Sequence, residues 1–216
     1  LYSIFGVMAL QLTYFIAVKY SNAPTATVIQ YLSPVIVAVT TVVMTRRLPS
    51  KRIILAITVA LLGTFLIATH GNFSELVIST KALFWGFLSA VSAAFYAMFP
   101  VKMVRKWGAM AVLGSGMLFS GVLISFFFQP WDIHGIWDIK TVFSVFYIVI
   151  FGSLVAYLLF LQGIMLIGSQ MATILSCVEP LSAALVALAF PGVIFTGMDW
   201  LGSALIMMTV VILARR

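Results

Sequence analysis

One acidic residue, Glu179, lies inside a long apolar segment of the chain and is followed directly by Pro180. An acidic side chain at the centre of a bilayer costs roughly 2.5–3.5 kcal/mol on insertion scales. Proline lacks a main-chain N–H, so the carbonyl four residues earlier, on Ser176, loses its helical partner and the helix can kink. These residues therefore predict a helix break at Pro180 with a carboxyl group beside it.

Three interpretations of Glu179 are open at this stage. In the first, the carboxyl group takes up a proton from one side of a membrane and releases it to the other, which couples proton entry to the exit of a solute. In the second, it is a neutral group hydrogen-bonded to a neighbouring helix. In the third, it pairs directly with a cationic solute. The first interpretation is our hypothesis.

Another apolar segment carries four polar or aromatic residues at spacings of four, three and four, which places them on one helical face. They are Trp85, Ser89, Ser92 and Tyr96. Such a face gains nothing from contact with lipid, and it suits a cavity that stacks and hydrogen-bonds an organic solute. Helix packing, with the serines at close contacts, is the alternative.

Further amide, hydroxyl and phenol groups lie in apolar segments, where each needs a hydrogen-bond partner. These residues are Gln11, Tyr14, Gln30, Tyr31, Tyr157, Gln162 and Ser176. Water or solute in a central cavity would supply partners, and hydrogen bonding between helices is the alternative. Pro34, shortly after Gln30 and Tyr31, predicts a second helix break.

The composition of the 216 residues sets the class of protein. Hydrophobic residues make up 63% and charged residues 8%, and the mean hydropathy is +1.20. An ordinary soluble domain is about 45–50% apolar and about 25% charged. A soluble enzyme, a disordered protein and a disulfide scaffold are therefore excluded, and nucleic-acid binding is disfavoured. With two histidines and no phosphate-binding glycine loop, we expect no metal and no cofactor.

Eight apolar segments have the length of about 20 residues that a bilayer-spanning helix needs. They cover residues 2–18, 24–44, 53–70, 82–100, 109–128, 141–163, 169–190 and 199–214. The predicted fold is thus an all-α polytopic membrane protein. Nine of the twelve basic residues fall on one side of the resulting topology, in two short loops and at the C-terminus. That side is predicted to be the cytoplasm, which places both ends of this chain there.

Shifting the chain by 146 residues aligns it with itself without a gap. Ala26-Thr27 falls on Ala172-Thr173, and Pro34 falls on Pro180. The first three spans thereby match the last three. Equivalent spans are five apart, an odd number, so they cross the membrane in opposite directions. An inverted repeat of this kind is a construction used by secondary transporters.

Several stretches carry a family resemblance. They are 20–23 with 26–34, 63–66 with 69–72, 85–86 with 89–90, and 179–184. They resemble the drug/metabolite transporter superfamily, specifically its EamA-type exporters, which have two five-helix repeats. The resemblance implies that residues 1–70 are the last three helices of the first repeat and that 82–214 are the five-helix second repeat. Eight helices of ten would then be present, with the first two absent.

The resemblance also implies an exporter of small metabolites, amino acids or amines in a bacterial plasma membrane. The expected partners are a small-molecule solute, the lipid bilayer and protons, without nucleic acid. One alternative is a truncated fragment or membrane interaction subunit that does not transport. A membrane-embedded enzyme is a weaker alternative, because there is a single intramembrane acid and no zinc-protease motif.

Overall fold

The computed structural model describes residues 1–72, 74, 79–128, 138–179, 181–182 and 196–214. All regular structure in these ranges is helical. The helices are α1 (Tyr2–Tyr20), α2 (Ala23–Gln30), α3 (Ser33–Thr45), α4 (Lys51–Thr69), α5 (Thr80–Met98), α6 (Val101–Trp107), α7 (Ala109–Ser125), α8 (Ile139–Ile167), α9 (Ser169–Leu175) and α10 (Gly197–Ala214).

Within the described ranges, four helical stretches are long and apolar enough to cross a bilayer. They are Tyr2–Tyr20, Thr25–Thr45, Thr80–Trp107 and Ile139–Ile167. Helices α7 and α10 are apolar but shorter, and α4 has 19 residues. The predicted span at 169–190 is described only in its first part, because Pro180 and 183–195 lie outside the described residues. The helix break predicted at Pro180 therefore has no structural description.

The predicted loop after the fourth span is largely helical. Helix α5 turns at Phe99 and Pro100 and continues as α6, which carries Lys102, Arg105 and Lys106. Proline is well suited to the start of a helix, since the N–H that it lacks has no helical partner there. The chain reverses only at Gly108, which has a φ of +80°. The basic residues thus lie on a helix end and not in a loop.

Helices α2, α4, α5 and α8 each begin with a side-chain cap. The side chains of Asn22, Ser50, Ser79 and Asp138 accept hydrogen bonds from main-chain N–H groups three residues further on. Such caps satisfy donors that the first helical turn leaves open. These residues therefore determine where α2, α4, α5 and α8 start.

The capping hydrogen bond at Asp138 predicts that the stability of the first turn of α8 depends on pH. Hydrogen bonds from Thr141 lower the pKa of the Asp138 carboxyl below its ordinary value of 3.8. Because the pKa is lowered on folding, the cap stabilises α8 above pH 3.8 and is lost as the pH falls through the lowered pKa. We expect Asp138→Ala to speed amide hydrogen exchange at the start of α8, whereas Asp138→Asn, which keeps a capping oxygen, leaves it unchanged. Equal exchange in both variants would contradict the cap.

Three buried apolar clusters lie between the described helices, and two of them are large. One joins α1, α5, α7, α8 and α9 around Tyr2, Leu113 and Leu161. The other joins α3, α4, α10 and the end of α9 around Ala60 and Ile174. Removal of apolar side chains from water does not drive packing inside a bilayer, so close contact and hydrogen bonds must hold these helices in place.

Helices α4 and α10 show how close that contact is. A Cβ atom built on Gly202 would lie 2.8 Å from the carbonyl oxygen of Gly63. A Cβ atom on Gly63 would lie 2.9 Å from the carbonyl oxygen of Gly202. Only glycine allows the two backbones this distance. At one end of the pair, His70 Nδ1 lies 2.8 Å from Asp199 Oδ1, and the Asp199 side chain is 1% exposed.

Irregularities of the helices recur at the interval of the sequence repeat. Tyr2–Met8 in α1 and Ile148–Val155 in α8 are π-helical, and their first residues are 146 apart. The break between α2 and α3 falls at Tyr31 and Leu32, and Pro34 lies in the first turn of α3. The turn after α9 falls at Ser176 and Cys177, one residue short of the matching positions.

Candidate functional site

A cavity of about 370 Å³ opens between the two large buried clusters. Side chains from α1, α2, α3, α5, α8 and α9 line it, together with residues of both helix breaks. The lining consists of Leu10, Gln11, Tyr14, Thr27, Gln30, Tyr31, Ser33, Ala93, Tyr96, Gly152, Ala156, Tyr157, Phe160, Thr173, Ser176 and Glu179. Its volume falls in the range of about 300–1,000 Å³ that is typical of small-molecule sites.

Most of this lining consists of residues that the sequence repeat relates to each other. Twelve of the sixteen residues form six pairs, each 146 positions apart. The pairs are Leu10 with Ala156, Gln11 with Tyr157, Tyr14 with Phe160, Thr27 with Thr173, Gln30 with Ser176, and Ser33 with Glu179. The cavity therefore lies between segments that the 146-residue shift aligns with each other.

One pair is in direct contact. Gln11 Nε2 donates a hydrogen bond of 2.7 Å to the hydroxyl of Tyr157, its counterpart in the repeat. This bond lies at the cavity wall and joins α1 to α8. Beside it, the hydroxyls of Tyr14 and Thr27 share a hydrogen bond of 3.0 Å that connects α1 to α2.

Glu179 and Tyr31 connect the two helix breaks. The Tyr31 hydroxyl donates to Glu179 Oε2 at 3.1 Å and lies 3.4 Å from the main-chain oxygen of Ser176. Tyr31 is buried, whereas Glu179 is exposed and lines the cavity. Discontinuous helices place main-chain polar groups and charged side chains at the binding sites of secondary transporters.

Hydrogen bonds behind the lining fix Gln30 and attach α9 to α3. Gln30 Nε2 donates to the hydroxyl oxygen of Ser89 at 2.8 Å, and Ser89 is fully buried on α5. Gln170 Nε2 donates to the carbonyl oxygen of Pro34 at 3.1 Å. The second bond attaches α9 to the start of α3, next to the break at Tyr31. Sequence reasoning did not identify Gln170, because a bond to a main-chain oxygen 136 residues away leaves no pattern in the sequence.

Aromatic rings form one wall of the cavity. The ring of Tyr96 stacks on Tyr2 at a centroid distance of 5.6 Å and on Phe160 at 6.0 Å. It meets Tyr157 edge to face at 5.4 Å. Ring pairs at these distances contribute about 0.5–1.5 kcal/mol beyond the area that they bury. The wall is thus held in place without a bound molecule.

The structure brings most of the sequence-predicted residues together. Seven of the eleven residues expected to line a cavity do so, and Glu179 joins them. The seven are Gln11, Tyr14, Gln30, Tyr31, Tyr96, Tyr157 and Ser176. They converge because α1, α2, α5, α8 and the turn after α9 surround the same space.

The other four residues lie outside the lining. Ser89 and Ser92 are buried within the helix packing, the alternative that the sequence left open. Trp85 is half-buried next to Phe84. Eleven residues of helix separate it from Tyr96, which is roughly 16 Å along the axis, so sharing a face does not bring it to the cavity. Gln162 is exposed, because five residues beyond Tyr157 correspond to a rotation of about 140° around α8.

Several lining residues were not among the predicted site residues. Ser33, Phe160 and Thr173 are the counterparts of Glu179, Tyr14 and Thr27. Applying the 146-residue shift to the predicted residues would have found Ser33 and Phe160, but not Thr173, because Thr27 was not a predicted site residue. Among the residues that the structure describes, no group of three or more His, Cys, Asp and Glu side chains could hold a metal ion.

Comparisons with known proteins agree on one family. The sequence profile of the EamA-like transporter family matches residues 1–69 and 80–215. The chain is 40% identical over 214 residues to the uncharacterized inner membrane transporter YicL of Salmonella typhimurium, covering 99% of this chain and 71% of that protein. It is 25% identical over 202 residues to the uncharacterized transporter YwfM of Bacillus subtilis, covering 93% and 68%.

A solved crystal structure has the same fold. It matches 100% of this chain and 76% of its own length with a TM-score of 0.81, at 18% sequence identity. The predicted all-α membrane fold is confirmed by this match and by the apolar helices described above. The predicted family is confirmed as well: this chain belongs to the EamA-like transporter family.

Proposed function

We propose that this protein is a secondary-active transporter that exports small metabolites, amino acids or amines by alternating access and couples their exit to proton entry at Glu179. The observation that carries the proposal is the cavity lining, in which residues related by the repeat face each other around a single carboxyl group. A binding space at the meeting point of two similar halves can open to either side when one half rocks against the other.

In the proposed organisation, residues 1–70 belong to the first repeat and 82–214 to the second, in opposite orientations across the membrane. The hydrogen bond between Gln11 and Tyr157 supports an axis at the cavity. The recurrence of the π-helical turns in α1 and α8 also supports it. When the transporter switches, each inverted half takes up the conformation that the other half had before. The same structural change therefore closes the cavity on one side of the membrane and opens it on the other.

Glu179 has the contacts that a proton carrier needs. It lines the cavity, so both solute and protons in the cavity reach it. Its Oε2 accepts a hydrogen bond from Tyr31, which orients the carboxylate and connects it to the break between α2 and α3. Protonation changes the charge of the cavity and thereby its affinity for a solute. A change in affinity that depends on a bound proton is the basis of coupling.

The proposed location is a bacterial inner membrane, with both ends of this chain in the cytoplasm. The name of the Salmonella relative and the apolar helices support an inner-membrane location. The basic residues of 46–52 and 102–106 support the orientation, because short cytoplasmic segments carry an excess of Lys and Arg.

Flux measurements in proteoliposomes test the proposal. We load vesicles with a mixed pool of labelled metabolites and set the outside more acidic than the inside. We expect efflux of at least one solute to be several-fold faster than at equal pH, and a reversed gradient to slow it. Protein-free vesicles are the control. No efflux above that control would contradict transport, and efflux that ignores the gradient would contradict proton coupling.

A further inference from the structure

We infer that the solute selected by this cavity is a small organic monocation with an aromatic or apolar body. The ammonium group of the solute would lie at Glu179, and its apolar body would pack against the aromatic wall formed by Tyr96, Tyr157 and Phe160. The inference takes from the proposed function only that the cavity is the solute site. The sign and number of charges on the solute form a separate claim with its own test.

The charge of the lining supports this claim. Among the described residues that surround the cavity, Glu179 is the one charged side chain, and the lining contains no Lys, Arg or His. A charge that leaves water is costly unless an opposite charge meets it. An anionic solute would find no partner here, and a zwitterion or a dication would leave one of its charges unpaired. A monocation brings the net charge of the cavity to zero.

Two hydroxyl groups of the cavity lining, those of Thr173 and Ser176, can accept hydrogen bonds from a solute. The hydroxyl of Thr173 donates to the main-chain oxygen of Ser169 at 2.9 Å, and the hydroxyl of Ser176 donates to the main-chain oxygen of Thr173 at 2.8 Å. Their hydrogens are therefore used within the helix, and the oxygens retain lone pairs. Together with the carboxylate of Glu179, these oxygens give the lining acceptors for a donor such as an ammonium group.

Aromatic side chains of the same cavity lining suit the body of such a solute. Five aromatic residues belong to the lining, namely Tyr14, Tyr31, Tyr96, Tyr157 and Phe160. The face of an aromatic ring attracts a cation and also packs well against an apolar or aromatic group. A volume of about 370 Å³ limits the solute to one ring or a short chain beside its ammonium group.

Four matched compounds test the inference through binding. Phenethylamine is a monocation at neutral pH, 2-phenylethanol is its neutral analogue, phenylalanine adds a carboxylate, and 4-(2-aminoethyl)benzylamine adds a second ammonium group. We measure equilibrium binding to the protein in lipid nanodiscs. We expect phenethylamine to bind at least about tenfold more tightly than each of the other three. Equal or tighter binding of any of them, or no binding of phenethylamine, overturns the inference.

Variants of the protein test whether Glu179 is the source of the preference for a monocation. Glu179→Gln should reduce phenethylamine binding about tenfold or more while leaving 2-phenylethanol binding unchanged, and Glu179→Asp should keep most of the preference. Asp138→Asn, far from the lining, removes the same charge and should change nothing. Phe160→Leu should weaken both compounds about equally. If Asp138→Asn weakens phenethylamine binding as much as Glu179→Gln does, or if Glu179→Gln leaves it unchanged, the ammonium group is not at Glu179.

Failure of this inference is distinguishable from failure of the proposed function. If a pH gradient drives phenylalanine efflux and phenethylamine does not bind, the transporter is supported and the monocation inference is overturned. If phenethylamine binds with the expected preference but no solute is released from proteoliposomes, the site preference is supported and the transport proposal is overturned.

Discussion

Glu179→Gln should reduce pH-driven solute efflux from proteoliposomes at least about tenfold and leave the remaining efflux independent of the pH gradient. The amide cannot release a proton, but it has nearly the same shape as the carboxyl group. Its oxygen can still accept the hydrogen bond from Tyr31 that Glu179 accepts at 3.1 Å. A tenfold loss of rate corresponds to about 1.4 kcal/mol of transition-state stabilisation, which is within the range for removing one charged group.

The matched control is Asp138→Asn. Asp138 lies at the start of α8, outside the cavity lining, and asparagine keeps the capping oxygen that Thr141 needs. Efflux and its pH dependence should match those of the unmodified protein. If Glu179→Gln transports as fast as the unmodified protein with the same pH dependence, the proton-carrier role of Glu179 is wrong, and pairing of Glu179 with a cationic solute is contradicted as well.

Gly202→Ala should lower the thermal unfolding midpoint by several degrees, corresponding to a loss of about 1–3 kcal/mol, because the added methyl group overpacks a close helix contact. The methyl group would lie 2.8 Å from the carbonyl oxygen of Gly63 and 2.9 Å from Ile67 Cγ1. A main-chain oxygen cannot rotate away, so α4 and α10 must separate.

Gly114→Ala provides the comparison for this variant. Gly114 is also a helical glycine, in α7, but nothing lies within 4 Å of a Cβ atom built there. Alanine favours a helix over glycine by about 1 kcal/mol, so this variant should be as stable as the unmodified protein or slightly more so. Thermal unfolding in detergent followed by intrinsic fluorescence measures both. Equal midpoints for the two variants would show that the close approach of α4 and α10 does not stabilise the fold.

The helices of this protein are predictable because its apolar segments are long and its boundaries carry local signals. Asn22, Ser50 and Ser79 are N-cap residue types, and each precedes an apolar run. Where the prediction ended a helix at Pro100, the chain continues for another seven residues as α6. Proline is compatible with the first turn of a helix, and the surrounding packing decides whether it ends one.

The cavity was predictable only in part. The polar residues of α1, α2 and α8 mark it, since each needs a partner inside a bilayer and the cavity provides one. Helical spacing misplaced Trp85 because it defines a face and gives no distance from the cavity along the helix axis. The contact between His70 and Asp199 had no signal at all, since these residues lie 129 positions apart and both occur at span ends.

The repeat explains more of the site than individual residues do. Ser33 and Glu179 are counterparts, so the two halves present a hydroxyl and a carboxyl at matching positions of the cavity. In the proposed two-repeat organisation, the two positions correspond but differ in charge. A symmetric frame with one acid would allow both access states to have similar energies while a single group binds the coupling ion.

Labelling with a membrane-impermeant maleimide measures most directly whether the two halves are inverted. In a protein with Cys177→Ala as background, one variant carries Leu48→Cys, at a position 85% exposed, and another carries Ile194→Cys, 146 residues further on. We predict that Leu48→Cys reacts only from the cytoplasmic side of the membrane and that Ile194→Cys reacts only from the opposite side. Reaction of both cysteines from the same side would contradict the inverted repeat and the alternating access that depends on it.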